Sequence, residues 1–192
     1  MNEESKNRKK LPIHEFPLSG DGPVHSVCVD GLVRTIRALT LADLRRLPQH
    51  EVVDNFTCLE GWTVPRVRWG GVLLKDALSL AEPLSEARYV QASARRFSLP
   101  LSLERVGQAL LAIRLDENPI PREHGGPVRL IVSGGECFTS IKWLDHLELL
   151  PEPGLNTAEV IALSRLPETL HHEPTGENDL APPGHVLKKP SD

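Results

Sequence analysis

The chain carries three cysteines, Cys28, Cys58 and Cys137, and these offer the widest chemical reach of any residues in it. A thiolate is a soft ligand suited to a soft metal or a metal–sulfur centre, and one suffices where a cofactor supplies the remaining ligands. The number is odd and no two stand in a Cys-x-x-Cys pair. That argues against a disulfide framework and against a zinc ribbon, and leaves at least one thiol free. Cys58 follows a stretch of strand character and precedes Leu59-Glu60-Gly61-Trp62, a turn that brings its side chain near a loop surface. By position alone a lone thiol is more often a small core residue, and periodicity does not separate the two readings. Cys28, in the middle of an alternating run, reads as a buried small hydrophobe. Taken singly, Arg129 suits an edge-strand surface charge, Lys142 a solvated lysine and His124 a loop histidine beside two glycines. His171 and His172 form a pair without a third ligand, and the three tryptophans, Trp62, Trp69 and Trp143, suit core or cleft wall.

The elements that must hold these residues are short. Residues 24–30 alternate and are rich in β-branched side chains, so they read as a strand, with Asp30-Gly31 as hairpin-turn chemistry and residues 32–39 as its returning partner. Thr40 with Asp43 three residues on forms a capping-box pattern ahead of a short helix over 41–47, which Pro48 ends. Residues 51–57 form a strand that delivers the chain to Cys58, and 64–69 another after it. Gly70-Gly71 breaks the chain before a helix at about 73–80. Residues 87–93 read as a strand and 101–111 as a helix with Ser102 as its cap, continuing into a strand or extended arm over 110–116. The runs 127–133 and 141–149 read as two strands joined by Gly134-Gly135-Glu136-Cys137. Short strands interleaved with short helices, without strict βαβ alternation, predict an α+β fold.

The domain reading is an extended leader over 1–23, one folded domain over 24–163 and an irregular tail over 164–192. The net charge of −4 supplies no basic field, which excludes nucleic acid as a partner class. No apolar run approaches the roughly 20 residues a membrane-spanning helix needs. Residues 1–10 are polar and basic with no apolar stretch behind them, so a cytoplasmic protein is expected.

Two separated segments carry a resemblance. FTCLEGWTVPRVRWGGVLLKDAL, residues 56–78, resembles the cysteine-bearing segment of the sulfite oxidase family of molybdopterin oxidoreductases, with Cys58, Glu60, Trp62, Trp69, Gly71, Leu74 and Leu78 at its landmarks. HGGPVRLIVSGGECFTSIKWLDHLEL, residues 124–149, resembles the family's second hallmark, a His-Gly-x-Pro-x-Arg strand followed by a Ser-Ile-Lys-Trp turn. The order and spacing agree over roughly residues 24–150, and the upstream run with LTLADLRRLP resembles the family's entry hairpin and first helix. The resemblance implies a sulfite-oxidase-type mixed molybdopterin-binding fold and a molybdenum–molybdopterin (pyranopterin) cofactor. It implies Cys58 as the protein sulfur on the metal beside the two dithiolene sulfurs of the pterin. It implies further that Ser93 makes a polar contact to the cofactor, that His124 and Arg129 line its pterin and phosphate side, and that Ser140, Ile141 and Lys142 hold it through backbone groups and an ammonium. Glu60 faces either the open metal position or solvent, and Cys137 lies in the turn that approaches the cofactor. A phosphate of this kind is held by fixed cations and backbone N–H donors.

Departures from the family narrow the expectation. The segment 11–23 matches the family's aromatic, cofactor-closing segment poorly, and only His14-Glu15-Phe16 hints at it. Leu59-Glu60-Gly61 stands where eukaryotic sulfite oxidases have an arginine soon after the cysteine, which is nearer the bacterial methionine-sulfoxide-reductase branch and disfavours a dianionic substrate. The expected activity is two-electron oxygen-atom transfer on a small or sulfur-containing substrate, with electrons passed to a separate partner. A homodimer would have to use a surface other than the family's extra C-terminal domain. Two readings stand beside this one: a relative of the same fold that binds a cofactor or partner without catalysis, and a metal-free redox protein using Cys58 and Cys137.

Overall fold

The computed structural model describes residues 11–13 and 26–166. His14-Glu15-Phe16, His171-His172 and most of the leader and tail lie outside the described residues. Ten strands and three short α-helices make up the described part: β1 (Ser26–Gly31), β2 (Arg37–Thr40), α1 (Leu41–Arg46), β3 (Gln49–Thr57), β4 (Thr63–Leu73), α2 (Leu74–Ser79), β5 (Tyr89–Ala94), β6 (Phe97–Ser102), β7 (Ala109–Leu115), β8 (Asn118–Pro119), β9 (Arg129–Val132), β10 (His146–Leu150) and α3 (Thr157–Leu163).

Two sheets divide the strands. One runs β2-β1-β10-β5-β6, and the other β3-β4-β7, with β8 and β9 each paired to β7. Within the first, β1 and β10 are parallel, with Cys28 opposite His146 and Asp30 opposite Glu148. The remaining ladders are antiparallel. In the first sheet β1 and β10 alternate cleanly: Val27, Val29, Leu147 and Leu149 are fully buried while Cys28, Asp30, His146 and Glu148 look outward. The second sheet is buried on both faces. Val72, Leu111 and Leu130 belong to the larger core shared with the first sheet, whereas Trp69, Leu110 and Ile131 belong to a second core that also takes in Leu11, Phe56 and Val64. Continuous apolar runs are what a sheet covered on both sides requires.

The capping box forms as the sequence predicts. Thr40 accepts from the Asp43 backbone N–H and the Asp43 carboxylate accepts from the Thr40 N–H. Four expectations need correction. Residues 101–111 do not form a helix: β6 ends at Ser102, a single 3₁₀ turn occupies Val106–Gln108, and β7 follows at once. Sheet pairing prevails over the local pattern, because Leu99 and Leu101 bury against β5 and Leu110–Ala112 against β4 and β9. Ser102 does receive the Glu104 backbone N–H at 3.3 Å, so the local cap is real and only its helix is missing. The Gly70-Gly71 pair does not break β4. The strand runs through it with a register shift, and a Cβ at Gly71 would stand 2.0 Å from the Leu111 carbonyl oxygen, so this close crossing admits only glycine. The β1–β2 hairpin closes through a five-residue connection rather than a two-residue turn. Finally, residues 141–145 are a turn, and β9 and β10 lie in different sheets. No helix among the described residues is long and apolar enough to cross a membrane.

Candidate functional site

A cavity of about 230 Å³ opens where the end of β3, the start of β9, the turn after β9 and α3 converge. Cys58 enters it from a tight turn: its carbonyl accepts the Gly61 N–H at 2.9 Å and its own N–H donates to the Trp62 carbonyl at 3.0 Å. Gly61 takes φ +87° to close that turn, a conformation glycine adopts without steric cost. Cys58 as a whole is 9% exposed. Opposite stands Cys137, at the head of a 3₁₀ turn over Cys137–Thr139, and its S–H reaches the Cys58 sulfur at 2.9 Å. Burial, then the Cys58 sulfur, push the Cys137 thiol up to about 12.

Arg129 begins β9 and lies fully within the protein, its guanidinium carbon 4.9 Å from the Phe56 ring centre and 5.0 Å from that of Trp69. One arm donates to the His124 carbonyl at 2.9 Å, and Nε has no hydrogen-bond partner among the described residues. No carboxylate pairs with it among the described residues. Lys142 lies in the following turn, fixed by the Leu130 N–H to Ile141 carbonyl bond at 2.9 Å and the Trp143 N–H to Gly125 carbonyl bond at 2.9 Å. Burial, then the neighbouring Arg129 charge, bring Lys142 down to about 7. Arg165, just past α3, adds a third cation to the lining, against the single carboxylate of Glu60 at the rim. Glu60 there accepts the Trp62 indole N–H at 3.1 Å. A cavity that places three cations around two sulfurs, with a buried guanidinium nitrogen unsatisfied, is built for an anionic group rather than for a neutral apolar one.

Of the residues singled out in the sequence, the fold brings Cys58, Glu60, Arg129, Ser140, Ile141 and Lys142 to this cavity. His124 is buried one layer behind, its carbonyl accepting from Arg129. Burial holds its imidazole below the usual histidine value. Ser93 is not brought there. On β5 the core takes Val90, Ala92 and Ala94, and the two-residue period turns Ser93 to the other face, beside His146 and Ser98. Sequence reasoning missed Leu11 and Pro12, Phe97, Phe138 and the whole α3 wall of Ala158, Ile161, Ala162 and Arg165. The signal for α3 was present: Asn156 accepts from the Glu159 backbone N–H at 3.2 Å, a side-chain N-cap readable as Asn-Thr-Ala-Glu.

Known proteins resemble this chain in sequence and in fold. Residues 14–158 match the family described as the oxidoreductase molybdopterin binding domain. A sulfite oxidase of Arabidopsis thaliana is 25% identical over 187 residues, covering 73% of this chain and 48% of that protein. The mitochondrial sulfite oxidase of Mus musculus is 30% identical over 146 residues, covering 60% of this chain and 27% of that protein. A nitrate reductase of Fusarium oxysporum is 30% identical over 115 residues, covering 55% and 13%. Among solved structures, the sulfane dehydrogenase SoxCD from Paracoccus pantotrophus superimposes with a TM-score of 0.65 at 22% identity, over 73% of this chain and 41% of that one, which shows the shared fold. The chain spans less than half the length of each of these relatives. It belongs to the oxidoreductase molybdopterin-binding domain family, with the α+β fold of that family.

Proposed function

We propose that this member of the family holds one molybdenum–molybdopterin group in the cavity and serves as the oxygen-atom-transfer part of an oxidoreductase, with Cys58 as the protein sulfur on the metal. The observation that carries the reading is the meeting of the Cys58 thiol with Arg129 and Lys142 in one cavity. The residues present fit the group. A buried thiol is the soft donor that such a metal takes. Among the described residues Arg129 Nε has no hydrogen-bond partner and no carboxylate pairs with the Lys142 ammonium, which suits its phosphate. Ser140 and Ile141 line the cavity beside them. Once bound, that group supplies two-electron oxygen-atom transfer, a chemistry that belongs to the cofactor.

The chain's own residues do the rest. Phe56, Trp62 and Trp143 wall the space and limit water. Glu60 keeps an acid at the rim, opposing dianions and admitting small neutral or sulfur-containing substrates. The electrons leave to a separate carrier protein. Molybdenum content per chain, measured on protein from a host that makes the cofactor, tests this. Close to one metal per wild-type chain, with loss of metal or of turnover in Cys58→Ser, is the expected result. A metal-free wild-type protein sinks the reading in favour of a binding domain without catalysis.

A further inference from the structure

On the outer face of the first sheet, outside the cavity lining, three ligand-type side chains converge. Cys28 and Asp30 stand two residues apart on β1 and therefore share a face. His146, on the neighbouring parallel strand, is opposite Cys28 in register. The Cys28 sulfur lies 3.8 Å from Asp30 Oδ2, His146 Nε2 lies 2.8 Å from Asp30 Oδ1, and the three donor atoms all fall within 4.8 Å of one another. Beneath them Val27, Val29, Leu147 and Leu149 are fully buried, so both strands are fixed and the trio is held on a rigid base.

We propose that Cys28, Asp30 and His146 form a binding site for a first-row divalent cation of the zinc class, separate from the cavity and independent of what the cavity holds. Zinc bonds of about 2.0–2.3 Å in a tetrahedron place neighbouring donor atoms roughly 3.3–3.5 Å apart. The 2.8 Å contact is to Asp30 Oδ1 and the 3.8 Å contact to Oδ2, and no donor pair exceeds 4.8 Å, so side-chain torsions that move donor atoms by up to about 1.3 Å admit the ion. One thiolate, one imidazole and one carboxylate select a borderline-soft ion over magnesium or calcium, which want oxygen donors alone. Thiolate and carboxylate together bring two negative charges to a doubly charged ion. The side chains of Asp30 and His146 are 33% and 36% exposed, so the ion has an entry path and a fourth position facing water. Burial and the Asp30 charge hold the Cys28 thiol above its ordinary value, so binding displaces a proton from it.

Cobalt(II) is the probe, because a cobalt–thiolate bond gives a near-ultraviolet charge-transfer band and tetrahedral cobalt gives visible bands. The full chain is titrated with Cys58→Ser and Cys137→Ser in place, which leaves Cys28 as its one thiol. The expected result is one cobalt per chain with the charge-transfer band, displaced by zinc. Adding Cys28→Ser should abolish the band, and His146→Gln or Asp30→Asn should weaken binding at least about ten-fold. Absence of the band at millimolar cobalt overturns the site. So does a band whose affinity is unmoved by His146→Gln and Asp30→Asn, since the ion would then sit on Cys28 by itself or elsewhere. Should the double variant not fold, the difference spectrum between wild type and Cys28→Ser reads the same quantity.

Discussion

The sulfur atoms of Cys58 and Cys137 lie 2.9 Å apart although 79 residues separate them in the chain. Both are free thiols. The contact is held by two independent pieces of backbone, the turn after β3 and the 3₁₀ turn after β9, so it belongs to the folded state. Closing from 2.9 Å to the ~2.05 Å of a disulfide asks for little movement. With a low-molecular-weight disulfide as oxidant, the two thiols should give up two protons and two electrons and join, while the oxidant is reduced to two thiols. Thiol titration under denaturing conditions should then fall from three per chain to one. Cys137→Ala should keep both of its remaining thiols. Protein carrying molybdenum on Cys58 should resist the oxidant, whereas loss of thiols at equal rate in metal-loaded and metal-free protein would contradict Cys58 as the ligand.

Arg129 is a buried cation with aromatic faces on two sides, one carbonyl acceptor and no carboxylate among the described residues. Such a charge opposes folding, and an apolar isostere removes that opposition. Arg129→Met should therefore keep its folding free energy within ~2 kcal/mol of wild type, the lost bond to the His124 carbonyl offsetting the relief. Its molybdenum loading should fall at least about ten-fold. Denaturant unfolding beside metal analysis decides it. A large loss of stability with normal loading would make Arg129 part of the scaffold.

What the sequence made legible was what is local. The Thr40–Asp43 cap and the two motif segments around Cys58 and 124–149 rest on neighbours within a few residues, so they survive as patterns. What escaped was settled by distant partners. Leu110–Ala112 fits a helix period as well as a strand, and only β4 and β9 on either side make it a strand. Ser93 lies in a motif-like run, yet the face it takes is set by which side of β5 meets the core. Cys28 is half-exposed rather than buried, because the side chains facing it come from His146 across a parallel ladder, 116 residues beyond Asp30. Arg165 reaches the cavity only because α3 folds back onto it, inside a stretch whose prolines and glycine suggest irregular chain.

Gly125 and Lys142 couple backbone to site. Gly125 has φ +95°, and a Cβ there would meet Lys142 Cγ at 2.6 Å and its Cα at 3.1 Å. Gly125→Ala should destabilise the fold by ~1–3 kcal/mol through the left-handed backbone alone and push Lys142 from its place. Unfolding midpoint and molybdenum loading should both fall. A variant with wild-type stability and loading would show that the Trp143 turn yields freely.

The pH dependence follows from Lys142, whose ammonium is brought down to about 7 by burial and Arg129. In the unfolded chain a lysine titrates near ~10.4. Below about pH 7 both states carry the proton and the full cost of burying the charge is present. Between about 7 and 10.4 the folded state releases its proton while the unfolded state keeps it, so stability of the metal-free protein should rise with pH, by up to ~1.4 kcal/mol per unit for one proton. An anion in the cavity works in the opposite sense by holding Lys142 protonated. Sulfate, which does not titrate in this range, should therefore bind more tightly as pH falls from about 9 to 6, taking up a proton as it binds. Lys142→Met should flatten both curves while leaving the Arg129 contribution to sulfate binding in place. Calorimetric titration in buffers of different ionisation enthalpy measures the proton uptake directly. Equal sulfate affinity at pH 6 and 9, or a slope that persists in Lys142→Met, would show that Lys142 is not the group holding the anion.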